Sequence, residues 1–599
     1  MKKTKLNFES LEQKLSHIIF IYRDVELGDH LYCFTQLIFF FLCYVALENE
    51  EMGIKKSDFP SDFAFGVATS AGQIEGSADE GGRTPSVWDT YAATPGNIED
   101  GSNVSVAIDS YKRYKEDIKY IKDLGTNYYR FSISWSRILP KGSLRGGVNK
   151  EGIDHYNSLI DELIKNGITP FVTILHFDTP QALEDRYGGF LNGSIVDDFK
   201  DYCELLFKTY GDRVKNWITI NEPFVVALGY DLGKGPPGRC SLPPPIGPCK
   251  AGNSSTEPYI VGHNLIIAHA RAAKLYKHKY QAKQGGQIGI TLVGEFIEPL
   301  NPESPDDKAA AERYVDFLLG WFVEPLLFGD YPMTMRTIVQ ERLPTFTTKE
   351  KNLVKGSVDF IGLNYYTSRY GTKAKPMVPT HYLGDFLVKA SVEKDGIPIG
   401  PKATGNDYIY SYPQGLQKLL EFMKQKYQNI TIYITENGIS EATVPDRHLD
   451  DYVNDDYRIM FIFQHLYYVN KAMKNGVNVK GYFYWSLFDS FEGRQGYTQR
   501  FGLYFIDYND DYKCIPKKSA KWLHCFLKDN ITQLTTLSEQ TSMCASNATK
   551  DNNDSPSGAL TTAAVAILGT LIGFFALFVL PTFCETEEDL RRSQIPYHH

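Results

Sequence analysis

IYITENG, residues 432–438, is a run of good strand formers that stops on a bare carboxylate, Glu436, followed by Asn437 and Gly438. WITINEP, residues 217–223, does the same and ends in Asn221, Glu222 and Pro223. Six more apolar runs read as strands: FAFGVATSA (63–71), YYRFSISW (128–135), TPFVTILHF (169–177), QIGITLVG (287–294), DFIGLNYY (359–366) and GYFYWSLFD (481–489). Helical periods lie between them. In DSYKRYKEDIKYIKDLG (109–125), Tyr111, Tyr114, Ile118 and Ile121 fall on one face and Gly125 is a stop. SIVDDFKDYCELLFKTYGD (194–212) repeats the pattern and ends at Gly211. Apolar strands alternating with amphipathic helices imply a parallel sheet covered on both faces. Eight such units predict a single (β/α)8 TIM barrel over residues 57–530, with long βα loops.

In a barrel of this kind, chemistry sits at the C-terminal ends of the strands. Glu222 and Glu436 end candidate strands four and seven, so the architecture lets them face each other across one pocket. Gln73, Arg130, His176, Asn221, Asn364 and Tyr366 also stand at strand tips. Any one of these reads most simply as a cap or turn former. Six of them with two carboxylates point to a common site.

The chain has 599 residues, 43% hydrophobic and 23% charged, which is ordinary for a globular protein. Aromatics reach 14%; most read simply as core, and they also suit a pocket that stacks flat, partly apolar ligands such as sugar rings. A net charge of −9 without any basic stripe excludes nucleic acid as a partner. Nine cysteines without a CxxC pair give no zinc signature, and neither a metal nor a cofactor is expected.

Both ends differ from the central region. An N-terminal extension, residues 1–49, carries the apolar run LIFFFLCYVAL (37–47) behind the lysine-bearing start MKKTK, a signal-like pattern. Residues 559–583 carry no charge and are long enough to span a bilayer, so a C-terminal transmembrane helix is expected there. A polar stalk (531–558) precedes it and a charged tail (584–599) follows. Sequons at Asn103, Asn192, Asn253, Asn429, Asn530, Asn547 and Asn553 agree with a secretory route. The expectation is a membrane-anchored protein whose folded domain is extracellular or lumenal. Oligomeric state is left open.

The stretches TSAGQIEG, YRFSISWSRI, TINEP, NYYTSRY, YITENG and WSLFDSFE occur in that order. Together they resemble family 1 glycoside hydrolases, most closely the plant β-glucosidases, over about residues 57–530. The resemblance implies a retaining double displacement on a small-molecule β-glucoside. Glu436 would be the nucleophile, with Arg130 and Tyr366 against it. Glu222 would be the acid and then the base, and Asn364 supports the site. Gln73, His176, Asn221, Tyr366 and Glu492 would bind the glycone by hydrogen bonds, and Trp485 would be its apolar platform. Tyr408 would line the outer, aglycone side. Cys240 and Cys249 match a loop-closing disulfide, which leaves Cys203, Cys514 and Cys525 as plain thiols.

This sequence departs from the family pattern at three places. Gly72 replaces a tyrosine, Phe177 replaces a tryptophan, and Gly493 turns the usual FEW into FEG. The last predicts a void in the glycone wall that Gly493→Trp would refill. The leading reading is a β-glucosidase acting on terminal non-reducing β-D-glucosyl residues of a small plant metabolite or oligosaccharide. The alternatives are a transglucosidase of the same fold and a membrane-tethered sugar-binding protein with weak or lost catalysis. A thioglucoside-cleaving reading is disfavoured because Glu222 is present.

Overall fold

Eight parallel strands close into a barrel: β1 (Ala64–Ala68), β2 (Tyr128–Ser132), β3 (Thr169–Leu175), β4 (Asn216–Asn221), β5 (Gln287–Val293), β6 (Phe360–Asn364), β7 (Ile432–Asn437) and β8 (Val479–Trp485). Each pairs with the next in sequence, and β1 closes the ring on β8, with Ala64 opposite Gly481 and Ala68 opposite Trp485. Our computed structural model describes residues 52–528, apart from 245, 246 and 248.

The composite fold expected above needs correction. Among the described residues, no helix is long and apolar enough to cross a membrane. Among the described residues the fold is the barrel. The transmembrane helix expected over 559–583 lies outside the described residues, as do the extension 1–49, the stalk 531–558 and the tail 584–599.

The strands are buried on both faces, which is why they read as continuous apolar runs. Inside the barrel, the rings of Phe171, Phe360, Phe483 and Tyr433 meet edge to face, with centroids 5.1–5.6 Å apart. Truncating one such core ring to alanine costs about 3–5 kcal/mol. Gly66 makes room for this packing, because a Cβ there would lie 2.4 Å from Phe483. The first predicted helix buries the isoleucines of its expected face and leaves Tyr111 and Tyr114 half-buried. Ile118, Ile121 and Leu124 of the helix Ser110–Leu124 are buried, and Gly125 ends it at φ 83°.

Two local irregularities aim the site. The pairing of β7 shifts register between Ile434 and Glu436, and that of β4 between Ile218 and Asn221. Such slips re-direct side chains at strand ends. Both occur where the chain delivers its glutamates.

Candidate active site

Glu436 ends β7 almost fully enclosed, at 4% exposure. Arg130, from β2 and completely buried, donates from Nη1 to Glu436 Oε1 at 2.5 Å and to the Thr435 carbonyl at 3.1 Å. Its Nη2 donates to Asn221 Oδ1 at 2.6 Å. The Tyr366 hydroxyl donates to Glu436 Oε2 at 2.7 Å. Both carboxylate oxygens are therefore held, one by a cation. Removing one member of such a buried pair strands the other charge, at a cost of about 3–5 kcal/mol.

Glu222 follows β4 in a left-handed backbone conformation, φ 43°, and Pro223 then opens the short helix Pro223–Leu228. A non-glycine residue held in this region stores strain of order 1–3 kcal/mol, a common feature of functional sites. The Glu222 N–H donates to the Thr291 carbonyl at 2.9 Å. Asn364 Nδ2 donates to Glu222 Oε1 at 2.7 Å and to Asn221 Oδ1 at 3.2 Å. Thr435 Oγ1 donates to Asn364 Oδ1 at 2.7 Å, which sets the orientation of that amide. Burial, and then the charge of Glu436, push the Glu222 carboxyl up to about 8 against the opposing Asn364 hydrogen bond and Arg130 charge. Glu222 is thus a protonated acid at neutral pH.

The remaining predicted residues gather on one side. Gln73 Nε2 donates to the Phe491 carbonyl at 2.7 Å and to Glu492 Oε2 at 3.3 Å. Burial and the charges of Glu436 and Asp489 push the Glu492 carboxyl well up, against hydrogen bonds from Ser490 and Gln73. His176 lies parallel to Trp485, with centroids 5.6 Å apart and planes 11° apart. Burial and the neighbouring Arg130 push its imidazole well below the usual range, so it is neutral. A cavity of about 380 Å³ opens here, lined by Glu222, Glu436, Gln73, His176, Asn364, Tyr366, Trp485 and Glu492. That is the size of a small-molecule site. Asn221 is buried beneath, where its amide meets His176 Nε2 at 3.4 Å. The lining also includes the apolar Phe177, Phe190, Phe224 and Val226, and Tyr408, which is 47% exposed.

The profile of glycosyl hydrolase family 1 matches residues 55–532. This chain belongs to that family. It is 52% identical over 478 residues to Beta-glucosidase 24 of Oryza sativa subsp. japonica, covering 79% of this chain and 94% of that protein. It is 51% identical to the Furostanol glycoside 26-O-beta-glucosidase of Hellenia speciosa, covering 79% of this chain and 84% of that one. A mutant rice β-glucosidase in a covalent complex with glucose from GA4GE superposes with a TM-score of 0.77 at 45% identity, covering 79% of this chain and 99% of that one. The family 1 chain described here is a glycoside hydrolase that cleaves β-glucosides with retention of configuration.

The three departures from the family 1 pattern have different consequences. At Gly72 the wall is open: an added Cβ would meet only Asp178 Cβ, at 3.9 Å. Phe177 takes φ 68° and stands edge-on to His176. The void expected at Gly493 is bordered by the Trp88 ring. Gly493 has φ 56°, and a Cβ on it would lie 3.3 Å from Trp88 Cη2. A side chain is strained in that backbone region and has a rigid ring beside it. The expected effect of Gly493→Trp therefore changes sign: kcat/KM for an aryl β-glucoside should fall about tenfold or more, as measured by steady-state kinetics. A rise would restore the void.

Sequence reasoning missed Trp88, Phe190 and Phe224. All three come from βα loops rather than strand tips, so no strand pattern flags them. Cys240 and Cys249 form the expected disulfide, with Cα atoms 5.4 Å apart. Cys203 and Cys514 are free thiols, as expected. The expectation for Cys525 is corrected, because Cys525 is disulfide-bonded.

Proposed function

We propose that Glu436 is the nucleophile and Glu222 the acid and then the base of the retaining reaction on a terminal β-D-glucosyl residue. One observation carries this reading. Glu222 and Glu436 line one cavity, the first kept protonated to about pH 8 and the second gripped at both oxygens by Arg130 and Tyr366. Glu436 attacks the anomeric carbon, the bond to the aglycone oxygen breaks, and the Glu222 proton goes to that oxygen. The product is a glucosyl ester on Glu436 and a carboxylate on Glu222. Esterification removes the Glu436 charge, one of the two causes that raise Glu222, so Glu222 becomes a base suited to take a proton from water. The water oxygen attacks the anomeric carbon, the ester bond breaks, and both carboxyl groups return to their starting states. The covalent glucose complex of the rice relative supports the ester intermediate.

The sign of the pH dependence follows from Glu222. The raised group is protonated and competent below about 8 and loses its proton as pH rises through that value. In free enzyme, kcat/KM for a glucoside with a poor leaving group should fall above about pH 8, and this basic limb should vanish in Glu222→Gln. A limb that survives the substitution assigns it to another group.

The natural substrates proposed are glucosides of small plant metabolites or oligosaccharides. The apolar part of the cavity lining and the furostanol glycoside relative support this reading. A secreted or lumenal enzyme is supported by the Cys240–Cys249 disulfide and by the exposed sequon residues Asn103, Asn192, Asn253 and Asn429. No observation at the site favours the binding-only or transglucosidase readings. The deciding experiment is hydrolysis of 4-nitrophenyl β-D-glucoside followed by proton NMR. β-Glucose should appear first and then mutarotate. α-Glucose as the first product, or no turnover of any β-glycoside, overturns the reading.

A further inference from the structure

Trp88 lies on the short helix Val87–Ala92, in the long loop between β1 and β2. Its ring lines the cavity beside Gly493 and next to Glu492. Cη2 and Cζ2 stand 3.3 and 3.9 Å from the place a Cβ on Gly493 would take. The other side of the ring is held edge-on by Tyr91, at 5.7 Å and 77°, and by Phe491, at 6.5 Å and 82°. These two belong to a buried cluster with Ile98 and Val104. Trp88 is therefore a ring pinned by two aromatic neighbours that lines the cavity. Among the described residues its indole N–H has no hydrogen-bond partner, and the side chain is only half-buried.

Glycine at 493 removes any side chain from that part of the wall, and the Trp88 ring borders the space. The neighbouring polar groups already satisfy one another. Gln73 spends its amide hydrogens on the Phe491 carbonyl and Glu492, and its oxygen accepts from Ser70 at 2.6 Å. A sugar hydroxyl entering this corner meets a free indole N–H donor and an aromatic surface for its apolar C–H face.

We propose that Trp88 is a specificity-determining residue of the glycone site, packing against the sugar ring and donating its indole N–H to one glycone hydroxyl. This deepens the reading under Proposed function and rests on it. A desolvated site that loses a donor to a substrate hydroxyl discriminates strongly against its own substrate, whereas an analogue lacking that hydroxyl is little affected.

The test uses the whole protein with Trp88→Phe, which keeps a packed ring without the donor, and Trp88→Ala, which removes both. Thermal melts confirm that each variant is folded, and Trp88→Phe alone suffices if Trp88→Ala is not. Steady-state kinetics are read on 4-nitrophenyl β-D-glucoside and on its 2-, 3-, 4- and 6-deoxy analogues. Binding of the uncharged inhibitor gluconolactam is read by calorimetry, without any need for turnover. Trp88→Phe should lower kcat/KM on the glucoside about 5- to 50-fold, mainly through KM, and weaken gluconolactam by a similar factor. On one deoxy analogue the loss should shrink below about threefold, and that analogue identifies the contacted hydroxyl. An equal loss on all five substrates, or no change in gluconolactam affinity, overturns the proposal. A wild type inactive on every β-glycoside defeats the reading under Proposed function instead, and the gluconolactam comparison still decides the role of Trp88.

Discussion

Glu436→Gly should reduce turnover of every β-glucoside by on the order of 10⁴-fold or more, because nothing else in the cavity can replace the carboxylate at the anomeric carbon. Two other cavity carboxyl groups are ill suited to the task. Glu222 is protonated to about pH 8, and Glu492 is pushed well up and tied to Gln73 and Ser490. Glycine also leaves a hole where the carboxylate stood, beside the Arg130 cation and the Tyr366 hydroxyl. A small anion can enter it. Azide added to Glu436→Gly should therefore restore turnover of an activated aryl glucoside, and the product should be the α-glucosyl azide, since a single displacement inverts the centre. In wild type, a 2-fluoro-glucoside should label Glu436, as read by peptide mass spectrometry. Near-normal activity in the variant, or label on another residue, removes Glu436 from the role.

Glu222→Gln is the second large effect, and it depends on the leaving group. Glutamine keeps the shape and can still accept from Asn364, but it has no acidic proton to give. Substrates with poor leaving groups should slow by about 10²- to 10⁴-fold, the ordinary worth of a positioned general acid. A dinitrophenyl glucoside needs no protonation in the first step, so it should still form the ester and then stall, showing a burst. Azide should relieve the stall. Here it attacks the glucosyl ester, so two inversions give the β-glucosyl azide, the opposite anomer from the Glu436 variant. Equal losses across leaving groups with no azide effect would sink the assignment of Glu222.

The sequence by itself determined the barrel and the two carboxylates. Strand formers that end on Glu222 and Glu436 are local patterns, and so is the glycine that stops the helix at Gly125. Backbone preferences and burial periodicity act over a few residues, which is why all eight strands were legible to within a few positions. Charge, packing and space act between residues far apart in the chain, and only the tertiary structure decided them. Arg130 reaches Glu436 across 306 positions and Asn221 across 91, and that convergence holds one glutamate while burial raises the other. Gly493 looked like a hole because its own side chain is absent. The fold brings Trp88 against it from a loop near the start of the barrel, and no local pattern around Trp88 announces that. A sequence states which chemical groups are present and where each strand ends, but the electrostatics and free volume of a pocket belong to the neighbours that folding brings together.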